Sequence, residues 1–249
     1  MSEKGYKGFN KALQCCPDGK VFQYDVGKTY EETEAEICEK GFHYCEYPLD
    51  VLGYYEPGTS RFAEVEALGE VIKKADGDSK RSTTKIHIGA ELSLGDLIQA
   101  AVRFVFDNAT LTERSQAIKD RGAASATGDR GAASATGYSG AASATGYRGA
   151  ASATGDRGAA SATGDSGAAS ATGYSGAASA TGDSGIACAH GIESKAKAAL
   201  GAWIVCSEWK TVGCEWRRVA VRAAQIDGKI LKADTFYTLK SRKFVEVGE

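Results

Sequence analysis

Gly122-Ala123-Ala124-Ser125-Ala126-Thr127-Gly128-Asp129-Arg130 opens an array in which one nine-residue unit recurs seven times, without a slip, as far as Ser184. Only its last two columns vary: Asp or Tyr (Asp129, Tyr138, Tyr147, Asp156, Asp165, Tyr174, Asp183), then Arg or Ser. The array contains 14 Gly and 21 Ala but no Val, Leu, Ile or Phe, so an ordinary apolar core cannot form within it. Two Gly together with Ser and Thr in every nine residues argue against a long helix. Read with a period of two, Ala124 and Ala126 share one face, and Ala123, Ser125 and Thr127 share the other. The junction Gly128-Asp129-Arg130-Gly131 is a turn, because Gly accepts positive φ and Asp bonds its own backbone.

One strand and one turn per unit predict a parallel β-solenoid. A nine-residue coil would have to close on a single strand, so two 9-residue units form the smallest closed coil. The sequence leaves the handedness open. Burial alone cannot order such a coil. A buried methyl contributes roughly 0.8 kcal/mol and each unit turns only two inward, whereas ordering a backbone costs about 1–2 kcal/mol per residue. Backbone ladders between coils must supply the rest, and the open ends need caps. A disordered low-complexity linker is the competing reading. It does not explain why every change is confined to the turn columns.

The flanks read as ordinary globular sequence. Three segments are expected: an α+β domain over 1–108, the solenoid over 109–193 and a β-rich C-terminal cap over 194–249. In the first, Val21–Val26, Arg61–Val71 and Thr84–Ile88 read as strands. Thr33–Glu36 reads as the capping box of a short helix ending at Gly41. Ser93-x-x-Asp96 opens an amphipathic helix with Leu94, Leu97, Ile98, Ala101, Phe104 and Val105 on one side. Ser115–Arg121 is a degraded leading unit, and Gly185–Gly191 a degenerate eighth one. Trp203–Trp209, Arg217–Val221, Phe236–Leu239 and Phe244–Val247 are candidate strands, the last two joined in a hairpin by the turn at 239–243.

The chain has 249 residues, 30 Lys+Arg and 32 Asp+Glu, for a net charge of −2. That balance provides no field for nucleic acid or an anionic membrane. No apolar run is long enough to span a bilayer, and Met1–Asn10 lacks a signal-peptide core. Seven Cys without a secretion signal fit a reducing compartment. The expectation from composition is a soluble cytoplasmic protein.

Three motifs carry a resemblance: Lys7-Gly8-Phe9, then Phe22-x-Tyr24-x-Val26-Gly27-Lys28-Thr29-Tyr30-Glu31, then Cys38-x-x-Gly41-Phe42-His43-x-Cys45-x-x-Pro48-Leu49-Asp50-Val51-Leu52-x-Tyr54-Tyr55. They resemble an uncharacterised domain of bacteriophage and prophage proteins. In that family the domain precedes arrays of this type and a Trp-rich tail that ends in a Thr-x-Tyr-Thr-Leu strand, and the counterpart of that strand here is Asp234–Leu239. The resemblance implies a phage origin and a three-part architecture, with no established activity. The array itself is similar to the Ala/Ser/Gly repeats of left-handed β-rolls in bacterial adhesin heads. It shares a nine-residue period with calcium-binding toxin repeats but lacks their ligands, since its one turn carboxylate is Tyr in three of seven copies.

Candidate chemistry is sparse. Cys38, His43 and Cys45 have metal-ligand residue types at poor spacing. Buried thiols and a hydrogen-bonded His are the plainer reading, and no cofactor is expected. A Cys–His nucleophile at Cys45 and His43 lacks an orienting group. Gly41–Cys45, Pro48–Tyr55 and Arg61–Gly69 faintly resemble the strand–helix–strand succession of ADP-ribosyltransferases, with Glu64 or Glu66 as the carboxylate to test. The array offers a surface. Ser125, Thr127, Ser134 and Thr136 form hydroxyl ladders, although one Thr per strand argues against ice binding. Tyr138, Tyr147 and Tyr174 with Arg130, Arg148 and Arg157 decorate the coil edges. The leading reading is a noncatalytic structural and interaction protein, self-associating or binding a host or virion protein. The alternative is a small-ligand or nucleotide-binding N-terminal domain with a counter-defence role.

Overall fold

The computed structural model describes residues 2–16, 21–74, 78–109 and 114–248, and all structural statements refer to these. They fall into two compact units, 1–100 and 101–249.

In the first unit, strands β1 (Glu3–Phe9), β4 (Thr29–Glu31), β5 (Phe42–Cys45), β6 (Arg61–Ala67), β7 (Val71–Lys73), β8 (Lys80–Thr83) and β9 (Lys85–Leu92) build one sheet in the order β4-β9-β6-β1-β5-β8-β7. All its strand pairings among the described residues are antiparallel. A small hairpin of β2 (Gln14–Cys15) and β3 (Phe22–Gln23) accompanies it. One core gathers Phe9, Tyr24 and Phe42 with Val65, Ala67, Ile86 and Ile88. Its rings meet mostly edge to face, with Phe9 and Tyr24 at 5.3 Å and Tyr24 and Tyr30 at 5.2 Å. A second core joins Cys45, Val51, Phe62 and Leu97. It takes in a 3-10 turn, Pro48–Gly53, and the start of helix α1 (Leu94–Asn108). The pairing of β6 with β9 shifts register between Ala63 and Val65, and Phe62 lies in the second core while Ala63 and Val65 lie in the first.

The capping box of α1 forms as expected. The Asp96 amide donates to Ser93 Oγ at 3.2 Å, and the Ser93 amide donates to Asp96 Oδ2 at 3.2 Å. The box expected at Thr33–Glu36 does not form. That stretch closes instead through an isolated bridge between Glu36 and Lys40, with Cys38 at φ 66°. Ala35 and Ile37 offer too little apolar surface to fix a helix there.

The second unit is the β-solenoid. Strands β10 (Arg114–Ala117), β12 (Ala132–Ala135), β14 (Ala150–Ala153), β16 (Ala168–Ala171) and β18 (Ile186–Ala189) stack in parallel in one sheet. Strands β11 (Ala123–Ala126), β13 (Ala141–Thr145), β15 (Ala159–Thr163), β17 (Ala177–Ala180) and β19 (Lys195–Ala198) stack in the other. Successive units therefore alternate between sheets, and register runs at 18 residues, as in Ala132↔Ala150 and Ala123↔Ala141. About five turns span residues 114–206. The stack extends through β19 to the start of β20 (Trp203–Val212), where the step shortens to 17 at Ile186↔Trp203. It ends when the chain reverses. Strand β21 (Glu215–Gln225) pairs antiparallel with β20, and the hairpin β22 (Tyr237–Lys240)–β23 (Lys243–Glu246) pairs antiparallel with β19. The Glu208 carboxylate accepts the Ser241 and Arg242 amides (3.1 and 2.8 Å), holding the left-handed turn of that last hairpin.

The second and third alanines of every unit, such as Ala124 and Ala126, point inward and form one continuous core running on to Ile204 and Cys206. Each Gly-x-x-Gly junction is a β-turn closed by an amide such as Gly131 N donating to Gly128 O at 3.0 Å. Even the turn residues join the ladder, since the Arg157 amide donates to Tyr138 O at 2.8 Å. Gly128, Gly146 and Gly164 of the seventh column have the positive φ expected at a turn, 124–139°, and the column has a second role. At Gly155, whose φ is not positive, a Cβ would lie 1.7 Å from the Gly137 carbonyl oxygen one coil earlier. Gly146, Gly164, Gly173 and Gly182 meet the same obstacle at 1.7–1.9 Å. Glycine is required because the backbones approach closely, more than for its freedom of φ.

The two outer faces differ. On the β12–β14–β16–β18 sheet, the outward residues Ala132, Ala150, Ala168, Ile186, Cys188 and Val205 are buried. On the other sheet Ala123, Ala141 and Ala159 are exposed. The second half of α1 belongs to this unit and buries Val102 and Val105.

Two expectations follow. Gly155→Ala should destabilise the solenoid by about 3 kcal/mol, as overpacking against immobile backbone does. Ala159→Ser, on the exposed face, should stay within about 0.5 kcal/mol; equilibrium denaturation compares the two. Deleting 140–157, one whole coil, should leave a folded protein of similar melting temperature. Deleting only 140–148 should lower it markedly, because all later strands change sheets and Ile186, Cys188 and Val205 leave the covered face.

Candidate functional site

Strand β1 pairs with β6 over seven residues but with β5 only at Tyr6↔Cys45. Beyond that pair the two strands part. A cavity of about 290 Å³ is lined by Tyr6, Lys7 and Gly8 of β1 and by His43, Tyr44 and Cys45 of β5. Val51, Tyr54 and Tyr55, from the 3-10 turn and its exit, and Lys80 of β8 complete the lining.

Lys7 is 6% exposed, and its Nζ donates to the His43 carbonyl at 2.6 Å, supplying a hydrogen bond where the ladder is interrupted. Its ammonium lies 5.3 Å from the Tyr24 ring and 5.8 Å from that of Phe9. Burial holds it below its ordinary pKa, and the neighbouring Cys15 thiol partly opposes that. The Tyr55 ring lies on Gly8, where a Cβ would come within 2.3 Å of it. The Tyr55 hydroxyl and Cys15 Sγ are 3.0 Å apart. Burial, then Cys15, raises the Tyr55 phenol. Lys80 Nζ stands 4.4 Å from the Tyr54 ring centroid, and the Tyr54 hydroxyl donates to Asp78.

Of the three candidate ligand residues, His43 and Cys45 line this cavity and Cys38 does not. His43 Nε2 accepts the Cys38 amide at 2.9 Å. Cys38 Sγ accepts from Lys80 Nζ at 3.4 Å. Burial pushes the Cys45 thiol up to about 12, so it is protonated at neutral pH. Among the described residues no group of three or more His, Cys, Asp or Glu is placed to hold a metal. Glu64 and Glu66 share one face of β6, paired with Tyr6 and Lys4 of β1, and neither lines the cavity.

On the solenoid, Ser125, Thr127, Thr136, Tyr138, Tyr147, Tyr174, Arg130 and Arg157 are exposed, while Ser134 and Arg148 are half-buried. The Arg157 guanidinium lies 6.0 Å from the ring of Tyr138 in the preceding coil, and that of Arg148 lies 5.5 Å from the ring of Tyr147. Glu193 raises the Tyr174 phenol by hydrogen bonding.

Sequence reasoning gave no site role to Lys7, Tyr54, Tyr55 and Lys80, although the first three stand in the motifs that carry the resemblance. The available signal was a lysine at an inward strand position between Gly5 and Gly8, two glycines that admit the rings of Tyr44 and Tyr55.

A Domain of unknown function (DUF7666) covers residues 3–100. No curated protein and no solved structure matches the chain. No helix among the described residues is long and apolar enough to cross a membrane.

Because burial lowers the Lys7 pKa from 10.5, the unfolded chain binds more protons than the folded one between the lowered value and about 10.5. The stability of the protein relative to Lys7→Met should therefore rise with pH across that window. Urea denaturation of both proteins at pH 7, 8, 9 and 10 measures it; a pH-independent difference would show that Lys7 keeps an ordinary pKa.

Proposed function

We propose that this protein is a noncatalytic scaffold of phage or prophage origin. Its solenoid serves as a rigid spacer and self-association module that displays the flanking parts to a host or virion partner. The observation that carries this reading is the uninterrupted 18-residue ladder, in which strands and turns alike are hydrogen-bonded to the next coil. Such a stack has one repeating contact and no internal hinge. The exposed outer face of the β11–β17 sheet adds a flat surface of small residues, which side-by-side packing of two copies would cover. The phage origin rests on the motif resemblance over residues 7–55 and on the array that follows it. The cellular setting in this reading is the bacterial host cytoplasm or the virion.

A second reading, a small-ligand or nucleotide-binding N-terminal unit with a counter-defence role, is favoured by the cavity at the parting of β1 and β5.

For the scaffold, hydrogen exchange should find the strand amides of residues 123–198 protected as one cooperative block. Sedimentation should find a concentration-dependent dimer or larger species. Exchange of the array on the timescale of an unstructured peptide, or a monomer at every concentration, would refute the respective half of the proposal.

A further inference from the structure

The cavity between β1 and β5 is lined by cationic and aromatic side chains. Its lining contributes two lysines, Lys7 and Lys80, and no Asp or Glu. The nearby carboxylates are already engaged. Asp78 accepts from the Tyr54 hydroxyl and from Lys74 Nζ at 3.1 Å, and Asp50 accepts the Ser79 amide at 2.7 Å. Four tyrosines, Tyr6, Tyr44, Tyr54 and Tyr55, also contribute to the lining. Two of these rings are held before any ligand arrives, Tyr55 by Gly8 and Cys15, Tyr54 by Asp78 and Lys80. Preformed aromatic surface with uncompensated cationic groups suits a ligand that carries both a ring and a negative charge. A volume of about 290 Å³ lies at the small end of ligand sites, which limits that ligand to a few fused or linked rings with one anionic group.

We propose that the cavity between β1 and β5 binds a small ring-bearing anion, its ring against Tyr54 and Tyr55 and its charge met by Lys7 and Lys80. This rests on the reading of the N-terminal unit as ligand-binding. The anionic group can be a phosphate, as in a nucleoside monophosphate, or a carboxylate on an aromatic ring; the recognition chemistry is the same.

The test is calorimetric titration of the full chain with AMP and with indole-3-acetate, each beside its neutral counterpart, adenosine and indole. The expected result is saturable binding of at least one anion, with the neutral counterpart at least tenfold weaker. Lys80→Gln and Tyr54→Leu, at half-buried and exposed positions whose loss spares both cores, should each weaken that anion by about tenfold, the scale of one charge-assisted contact. Which anion binds identifies the phosphate or the carboxylate source. Equal binding of neutral and charged partners would overturn the anion assignment while leaving a ligand site standing. Binding indifferent to both substitutions would place the ligand elsewhere and overturn the proposal. No binding of any of the four at millimolar concentration would overturn both the proposal and the ligand-binding reading, leaving Lys7 to complete the interrupted ladder at His43.

Discussion

The close stacking of one coil on the next governs this protein. The seventh-column glycines from Gly137 to Gly182 each sit over a carbonyl oxygen of the coil before, at a distance no side chain permits. That approach brings the amides of strand and turn alike within 2.8–3.1 Å of their acceptors in the neighbouring coil, as at Arg157, Ala150 and Thr172. With only two inward methyls per unit, the ladder does most of the ordering. The repeat is therefore intolerant in its glycine column and permissive at the turn positions, and its variation lies in those turn positions. A parallel stack of this kind has no natural end, and here it is closed by reversing the chain in two antiparallel hairpins that continue both sheets.

Identical units do not occupy identical places. Ala132 and Ala123 hold the same position in the same unit, yet the first is buried and the second exposed. Nothing within the seven perfect copies distinguishes them. The degenerate units beyond do carry the signal. The outward positions of β18 are Ile186 and Cys188, and those of β19 are Lys195 and Lys197. Apolar residues mark the covered sheet and lysines the open one. Threonines are exposed on both sheets, as at Thr127 and Thr136, and of the strand serines in the seven copies only Ser170 is fully buried.

The N-terminal unit shows the opposite balance. Its strands and helix were partly legible, because Ile86 and Ile88 alternate and Ser93–Asp96 is a strong start signal. Its cavity was not. Lys7 and Lys80 are 73 positions apart, and their meeting depends on β5 separating from β1 after a single pair. Local patterns do not encode where two distant strands stop pairing. His43 and Cys45 stand out by residue type, while the tyrosines and lysines that surround them are common residues whose meaning comes only from where they converge.

The sequence by itself determined the repeat period, the inward alanines, the alternation of units between two sheets and the need for ends that stop the stack. All of these follow from local geometry, a period of two along a strand and a turn every nine residues. Tertiary structure alone decided which sheet is covered, where the parallel register ends and where the N-terminal sheet opens. Those outcomes depend on contacts between segments far apart in the chain, and a nine-residue pattern that repeats without change cannot record which of its copies will meet them.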